Sequence, residues 1–219
     1  MENVPDNSII ESQSINVLKS ALQRCHRLKP LINENDKTVS WDGNVEVYNS
    51  ERFSKATLAG VVSVQVKGKW VTELPKTNAI KYSASIGDLK NYLKSNGAFF
   101  FVICCNDDGG KVYYNSLLPF DLYILLKDVS PLAATKTIEL QELSQKNPMD
   151  AYGIFRDFLY HSKRQAQLDT NMIERFSTGE LDSKSIPLSF GYGGIPARGD
   201  REAINYILKL PTPTWCAEP

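Results

Sequence analysis

Asp42 and Lys67 are the side chains whose surroundings most need a chemical reason. Asp42 stands near the head of Trp41-Asp42-Gly43-Asn44-Val45-Glu46-Val47-Tyr48, and Lys67 near the end of Val61-Val62-Ser63-Val64-Gln65-Val66-Lys67-Gly68. In both stretches valines alternate with polar residues, the period of a strand with one buried face. Side chains two apart on a strand share a face, which groups Asp42 with Glu46 and Gln65 with Lys67. The valine faces belong to a core. If the two strands pair with their valines together, a carboxylate and an ammonium meet on the other side. Charges at the rim of a core are costly unless they are paired or used.

The remaining reactive types are less well placed. His26 and His161 are the only histidines. Each lies in a helical pattern, and a His-based metal cluster or Ser-His triad has to use one of them. Cys25 and His26 are neighbours in sequence, which a helix turns in different directions. The four cysteines, Cys25, Cys104, Cys105 and Cys216, include no C-x-x-C pair. Two of them adjoin inside an apolar run, which suits reduced thiols in a cytoplasmic protein better than disulfides or zinc. Gly191-Tyr192-Gly193-Gly194 lacks the Gly-Lys-Ser/Thr that completes a phosphate loop.

The elements that must position Asp42 and Lys67 can be read in order. Ser8-Ile9-Ile10-Glu11 has the form of a capping box and opens a helical pattern over about 8–27, ended by Lys29-Pro30. The two valine strands follow, joined by a polar connection between Asn49 and Gly60. The second strand continues through Lys69-Trp70-Val71. An extended segment over 79–84 precedes a helix at 85–95 with Ser85 as N-cap and Gly97 as stop. Ala98 to Cys105 is continuously apolar, as a strand covered on both faces must be. A turn at 106–110 leads to a strand at 111–115, a helix beginning near Leu117, a short strand at 137–140 and a helix at 149–168. The chain divides into a domain over 1–168 and an extension over 169–219, rich in Ser, Gly and Pro over 177–201, that serves as a linker or begins a further module.

The chain has 219 residues, with 25 basic and 25 acidic side chains. An autonomous nucleic-acid binder usually carries a basic surplus, so binding here would need a local patch or a partner. No apolar run is long enough to cross a bilayer and no secretory signal opens the chain, so a cytoplasmic protein without a membrane partner is expected.

Taken in order, Glu11 on the first helix, Asp42 heading one strand and Gln65-Val66-Lys67 on the next resemble the PD-(D/E)xK nuclease superfamily. The branch is that of restriction endonucleases and Holliday-junction resolvases. Trp-Asp-Gly-x-x-Glu-Val-Tyr, Val-Gln-Val-Lys-Gly and Tyr-Tyr-x-x-Leu-Leu-Pro-Phe-Asp-Leu are together similar to nuclease effector domains of bacterial anti-phage systems. The resemblance covers about residues 8–165. It implies an α/β, restriction-endonuclease-like core with a mixed central β-sheet flanked by helices. It also implies a Mg²⁺- or Mn²⁺-dependent endonuclease acting on DNA, with RNA as the other substrate, and a sensor or activating protein module as partner. A homo-oligomer is compatible with it.

On that resemblance Asp42 is the central metal ligand and Glu11 completes the site. Gln65 offers its amide oxygen, and Lys67 positions the attacking water or stabilises charge on the phosphate. The family has Asp or Glu at the position of Gln65, and Glu46 is the residue that could replace the missing charge. Lys69, Lys90 and Lys94 are candidates for a basic rim that contacts nucleic acid. Each has a plainer explanation. Glu11 closes the capping box, Asp42 makes a turn before Gly43, Lys67 is a wet strand-end lysine, and Glu46 is a solvent-face residue or the partner of Lys67. The competing function is a catalytically degenerate nuclease-like scaffold or nucleic-acid-binding subunit.

Overall fold

The computed structural model describes residues 4–34 and 40–165, and the expectations for residues 169–219 lie outside the described residues. The elements in chain order are α1 (Asn7–Gln23), β1 (Leu28–Ile32), β2 (Gly43–Tyr48), β3 (Leu58–Trp70), β4 (Ala79–Ser85), α2 (Ile86–Lys94), β5 (Ala98–Asn106), β6 (Gly109–Leu117), α3 (Pro119–Lys127), β7 (Thr135–Glu142) and α4 (Pro148–Gln165). The strands form one mixed sheet in the order β1-β2-β3-β5-β6-β7-β4. β3 and β5 are parallel, and the other neighbours are antiparallel.

The unbroken apolar sequence of β5 is explained by its two faces. Phe99, Phe101, Ile103 and Cys105 enter a core shared with Leu18 and Leu22 of α1 and Phe155 and Phe158 of α4. Ala98, Phe100, Val102 and Cys104 enter a second core with Leu89 and Tyr92 of α2 and Leu122 of α3. Two helices therefore cover each face, as expected for an α/β domain with a mixed sheet.

The expected hairpin forms, with Val45 opposite Val62 and Gly43 opposite Val64. All of Val45, Val47, Val62, Val64 and Val66 are buried in the α1/α4 core. Fully burying a valine stabilises by about 1.5–3 kcal/mol, so this face fixes the register against a one-residue slip. Parallel strands need a long connection, and β4 and α2 supply it between β3 and β5. β4 itself is laid at the far edge beside β7.

One strand is additional to the sequence reading. Leu28, Pro30 and Ile32 of β1 are buried in alternation, and the strand pairs with β2. Lys29-Pro30 ends a helical pattern, but it does not exclude an edge strand, where the missing proline N–H faces no neighbour. The first helix accordingly stops at Gln23. It also starts before Ser8: Asp6 is the N-cap, its carboxylate accepting from the Ser8 backbone N–H at 2.9 Å. The Ser8/Glu11 capping box is therefore not formed.

Candidate functional site

Asp42 stands where the β2–β3 ladder ends. Its backbone N–H donates to Val64 O at 3.0 Å, and β3 then runs on without β2 beside it. The Val66 N–H would be left without a strand partner. The Asp42 carboxylate takes that place, with Oδ2 accepting from Val66 N at 2.6 Å. The same oxygen accepts from Nε2 of Gln65. The backbone reaches this arrangement through Gly43, whose φ is +148° and where a Cβ would run into Leu31 O and Ile32 Cα. Glycine is the residue that tolerates both.

Gln65 is 3% exposed and lies on the α2 side of the sheet. Its Oε1 accepts from the Tyr92 hydroxyl at 3.3 Å. Burial, with the charges of Asp88 and Asp42 adding to it, pushes the Tyr92 phenol far above its ordinary value, so Tyr92 remains a donor. The relay Tyr92–Gln65–Asp42 thus has a fixed direction, ending on an acceptor-only carboxylate. The amide oxygen expected to face a metal is turned toward Tyr92 instead.

The residues before Asp42 are fastened to α2. Ser40, at φ +73°, donates to Asp88 Oδ1 at 2.6 Å and accepts from Asn91 Nδ2 at 2.8 Å. Trp41 meets Tyr92 edge-on, with ring centroids 5.9 Å apart. Ser40, Asp88, Asn91 and Tyr92 were not legible as a group. They are some fifty residues apart in the chain, and each alone reads as a turn, a cap or a core residue.

Glu11 comes to the same place from the other side of the sheet. α1 lies close over β3 at Gly68, where a Cβ would sit 2.5 Å from Ser14 Oγ and 3.1 Å from Ile10 O. Any side chain at position 68 would push the helix away. Glu11, Asp42 and Lys67 all line one open cleft of about 510 Å³, together with Asn7, Val66 and Gly68. Lys67 is half-buried, and its ammonium makes no hydrogen bond or ion pair among the described residues.

The structure leaves the other expected site residues outside the cleft. Glu46 does not replace the missing acid. Its Oε2 lies 3.0 Å from Lys29 Nζ and 2.7 Å from the Tyr48 hydroxyl. Those bonds, the Tyr48 one foremost, hold its carboxyl below the usual range. The alternation that grouped Glu46 with Asp42 is broken at Gly43, and the partner that sequence could not supply is on the unexpected β1. Gln65 does not line the cleft either, being held beneath it. Lys69, Lys90 and Lys94 are exposed, and none lines the cleft.

Among the described residues no three of His, Cys, Asp and Glu gather as a metal-holding group. The donor set is two carboxylates from separate elements in an open, polar cleft. That suits Mg²⁺ or Mn²⁺, which keep several waters and use one or two carboxylates plus substrate phosphate, and it does not suit zinc. Comparison with family models, characterised proteins and solved structures gave no match. No helix among the described residues is long and apolar enough to cross a membrane.

Proposed function

We propose that this chain is a metal-dependent endonuclease acting on DNA, with its site in the Glu11–Asp42–Lys67 cleft. One observation carries the reading: two acids, Glu11 and Asp42, and the ammonium-bearing Lys67 come from separate parts of the chain to line one open cleft. Glu11 and Asp42 would hold Mg²⁺ or Mn²⁺, which supplies charge neutralisation at the phosphate and a more acidic water. Lys67 holds a phosphate oxygen and offsets the charge that builds there. Asp42 is oriented before any substrate arrives, because Val66 and Gln65 fix its carboxylate. The neutral net charge argues that a sensor or activating module, or a second copy, brings the polynucleotide to the cleft in the cell. A role as effector in anti-phage defence is part of this proposal.

The second reading, a polynucleotide-binding subunit without catalysis, is favoured by Gln65. A third acid is missing there, and the amide oxygen faces Tyr92. Two measurements separate the readings. Supercoiled plasmid with Mn²⁺ should be nicked or linearised, with loss of about 10²-fold or more in Asp42→Ala and Lys67→Ala. Mn²⁺ titration by calorimetry, which needs no activator, should show binding that Glu11→Ala and Asp42→Ala abolish. Equal cleavage by all forms, together with no Mn²⁺ binding by the parent chain, sinks the nuclease reading.

A further inference from the structure

We propose a second polynucleotide contact at the opposite end of β3 from the acidic cleft, in a basic groove between α4 and the hairpin tip. The identity of the polyanion rests on the nuclease reading above. The groove, of about 460 Å³, is lined by Arg156, Lys163 and Arg164 of α4, with Tyr160, Asn49 and Leu58. Among the described residues no acidic side chain lines it. Two of its cations are held in place. The Arg156 guanidinium donates to Asn49 Oδ1 and, at 2.9 Å, to the Tyr152 hydroxyl. The Arg164 guanidinium lies 3.9 Å from the centroid of the Tyr160 ring. Guanidinium groups fixed in orientation are suited to phosphate oxygens, which they meet with paired N–H donors.

The ordinary explanation for cations at the end of a helix is the macrodipole. It accounts for Lys163 and Arg164 in the last turn of α4. It does not account for Arg156, two turns earlier, or for the lack of an acid among the described residues that line the groove. The chain as a whole has no basic surplus, so this concentration of positive charge is local.

Position suggests what the groove holds. Leu58 lines the groove and Lys67 lines the cleft. Nine residues of strand separate them, about 30 Å at ~3.3 Å per residue. That is roughly nine base pairs of duplex at ~3.4 Å each. A polynucleotide longer than this reaches both places at once, and a small phosphorylated molecule cannot. The groove would anchor the backbone and the cleft would act on it.

The test is binding of 8-bp and 30-bp duplexes by fluorescence anisotropy in EDTA, so that cleavage plays no part. The variants are Lys163→Glu/Arg164→Glu and, as a control of equal charge change, Lys76→Glu/Lys146→Glu; all four residues are exposed. The parent chain should bind the 30-bp duplex about tenfold or more tighter than the 8-bp one. The α4 reversal should close that gap and lower the log–log salt slope by about 2, close to 0.9 per lost phosphate contact. The control should do neither. Unchanged affinity and slope in the α4 reversal, an equal effect in the control, or no duplex binding by the parent chain overturns the inference. Loss of binding in the α4 reversal alongside a chain that binds no Mn²⁺ would leave this contact standing and remove the nuclease reading.

Discussion

Gln65→Glu is the substitution on which the site makes its strongest demand. It restores the acid of the nuclease pattern, yet at a position 3% exposed and against the oxygen of Asp42 that Gln65 Nε2 now serves. Losing that donor costs about 1–3 kcal/mol, and each unit by which the new carboxyl's pKa is raised adds about 1.4 kcal/mol. Without metal, a loss of roughly 3 kcal/mol at pH 8 is expected, a fall in Tm of about 6–12 °C for a domain of this size. The sign with pH follows from which state keeps the proton. Burial and Asp42 both raise the folded-state pKa of the new acid above its unfolded value near ~4.3. The folded state therefore holds the proton to higher pH. The penalty is absent below about pH 4, grows as pH rises toward the folded value, and is full above it. At low pH the protonated acid can donate to Asp42 as the amide does. Mn²⁺ should reverse the loss, since a ligand at about 100 times its Kd adds about 2.7 kcal/mol. Thermal unfolding at pH 5 and pH 8, in EDTA and in Mn²⁺, measures all of this. A variant as stable as the parent in EDTA at pH 8, or one that gains no more from Mn²⁺ than the parent does, refutes the placement of Gln65 beside a metal-holding Asp42.

Two further substitutions test how the cleft is built. Tyr92→Phe removes the donor to Gln65 Oε1 and leaves a buried acceptor unpaired, so Tm should fall by about 2–8 °C for a loss of ~1–2 kcal/mol, with Mn²⁺ affinity lowered because Asp42 is less well held. Gly68→Val drives a side chain into Ser14 and Ile10, so it should destabilise by about 3 kcal/mol and weaken Mn²⁺ binding by moving Glu11 with its helix, whereas Gly87→Ala in α2, with only Ser85 Oγ at 3.5 Å, should do neither. Equal effects of the two glycine substitutions would mean that the α1 contact does not set the cleft.

The hairpin, the doubly covered strand and the two-sided helical packing were readable because each is a local pattern: period-2 valines, an unbroken apolar run, capped amphipathic helices. Glu11, Asp42 and Lys67 were readable as candidates for the same reason, since each sits at a defined place on such an element. The fate of Glu46 was not. Its partner Lys29 lies on an edge strand whose only strong local mark is a proline, and prolines end helices more often than they begin strands. The Ser40–Asp88–Asn91 fastening was equally hidden, because a contact across some fifty residues has no period to betray it. Glu11 shows the reverse case. Its plain explanation as a capping-box residue vanished once Asp6 proved to be the cap, and its presence in the cleft gained weight without any new fact about Glu11 itself.

Asp42 carries two duties that one pair of substitutions can separate. As terminator of the β2–β3 ladder it needs only an acceptor for the Val66 N–H. As a metal ligand it needs its charge. Asp42→Asn keeps the acceptor and loses the charge. One oxygen of Asp42 accepts from both the Val66 N–H and Nε2 of Gln65, so an asparagine that sets its Oδ1 in that place keeps both bonds. The fold should therefore lose less than about 1 kcal/mol. Asp42→Ala leaves the Val66 N–H and one N–H of the Gln65 amide without their acceptor in a buried setting and should lose about 1–3 kcal/mol. Both should abolish Mn²⁺ binding and cleavage alike. Chemical denaturation beside Mn²⁺ calorimetry reads the two duties independently. If Asp42→Asn unfolds as easily as Asp42→Ala, the charge itself stabilises the ladder end, and the carboxylate needs no metal to account for its place. If Asp42→Asn is stable and still binds Mn²⁺, the ligand lies elsewhere and the cleft loses its central residue.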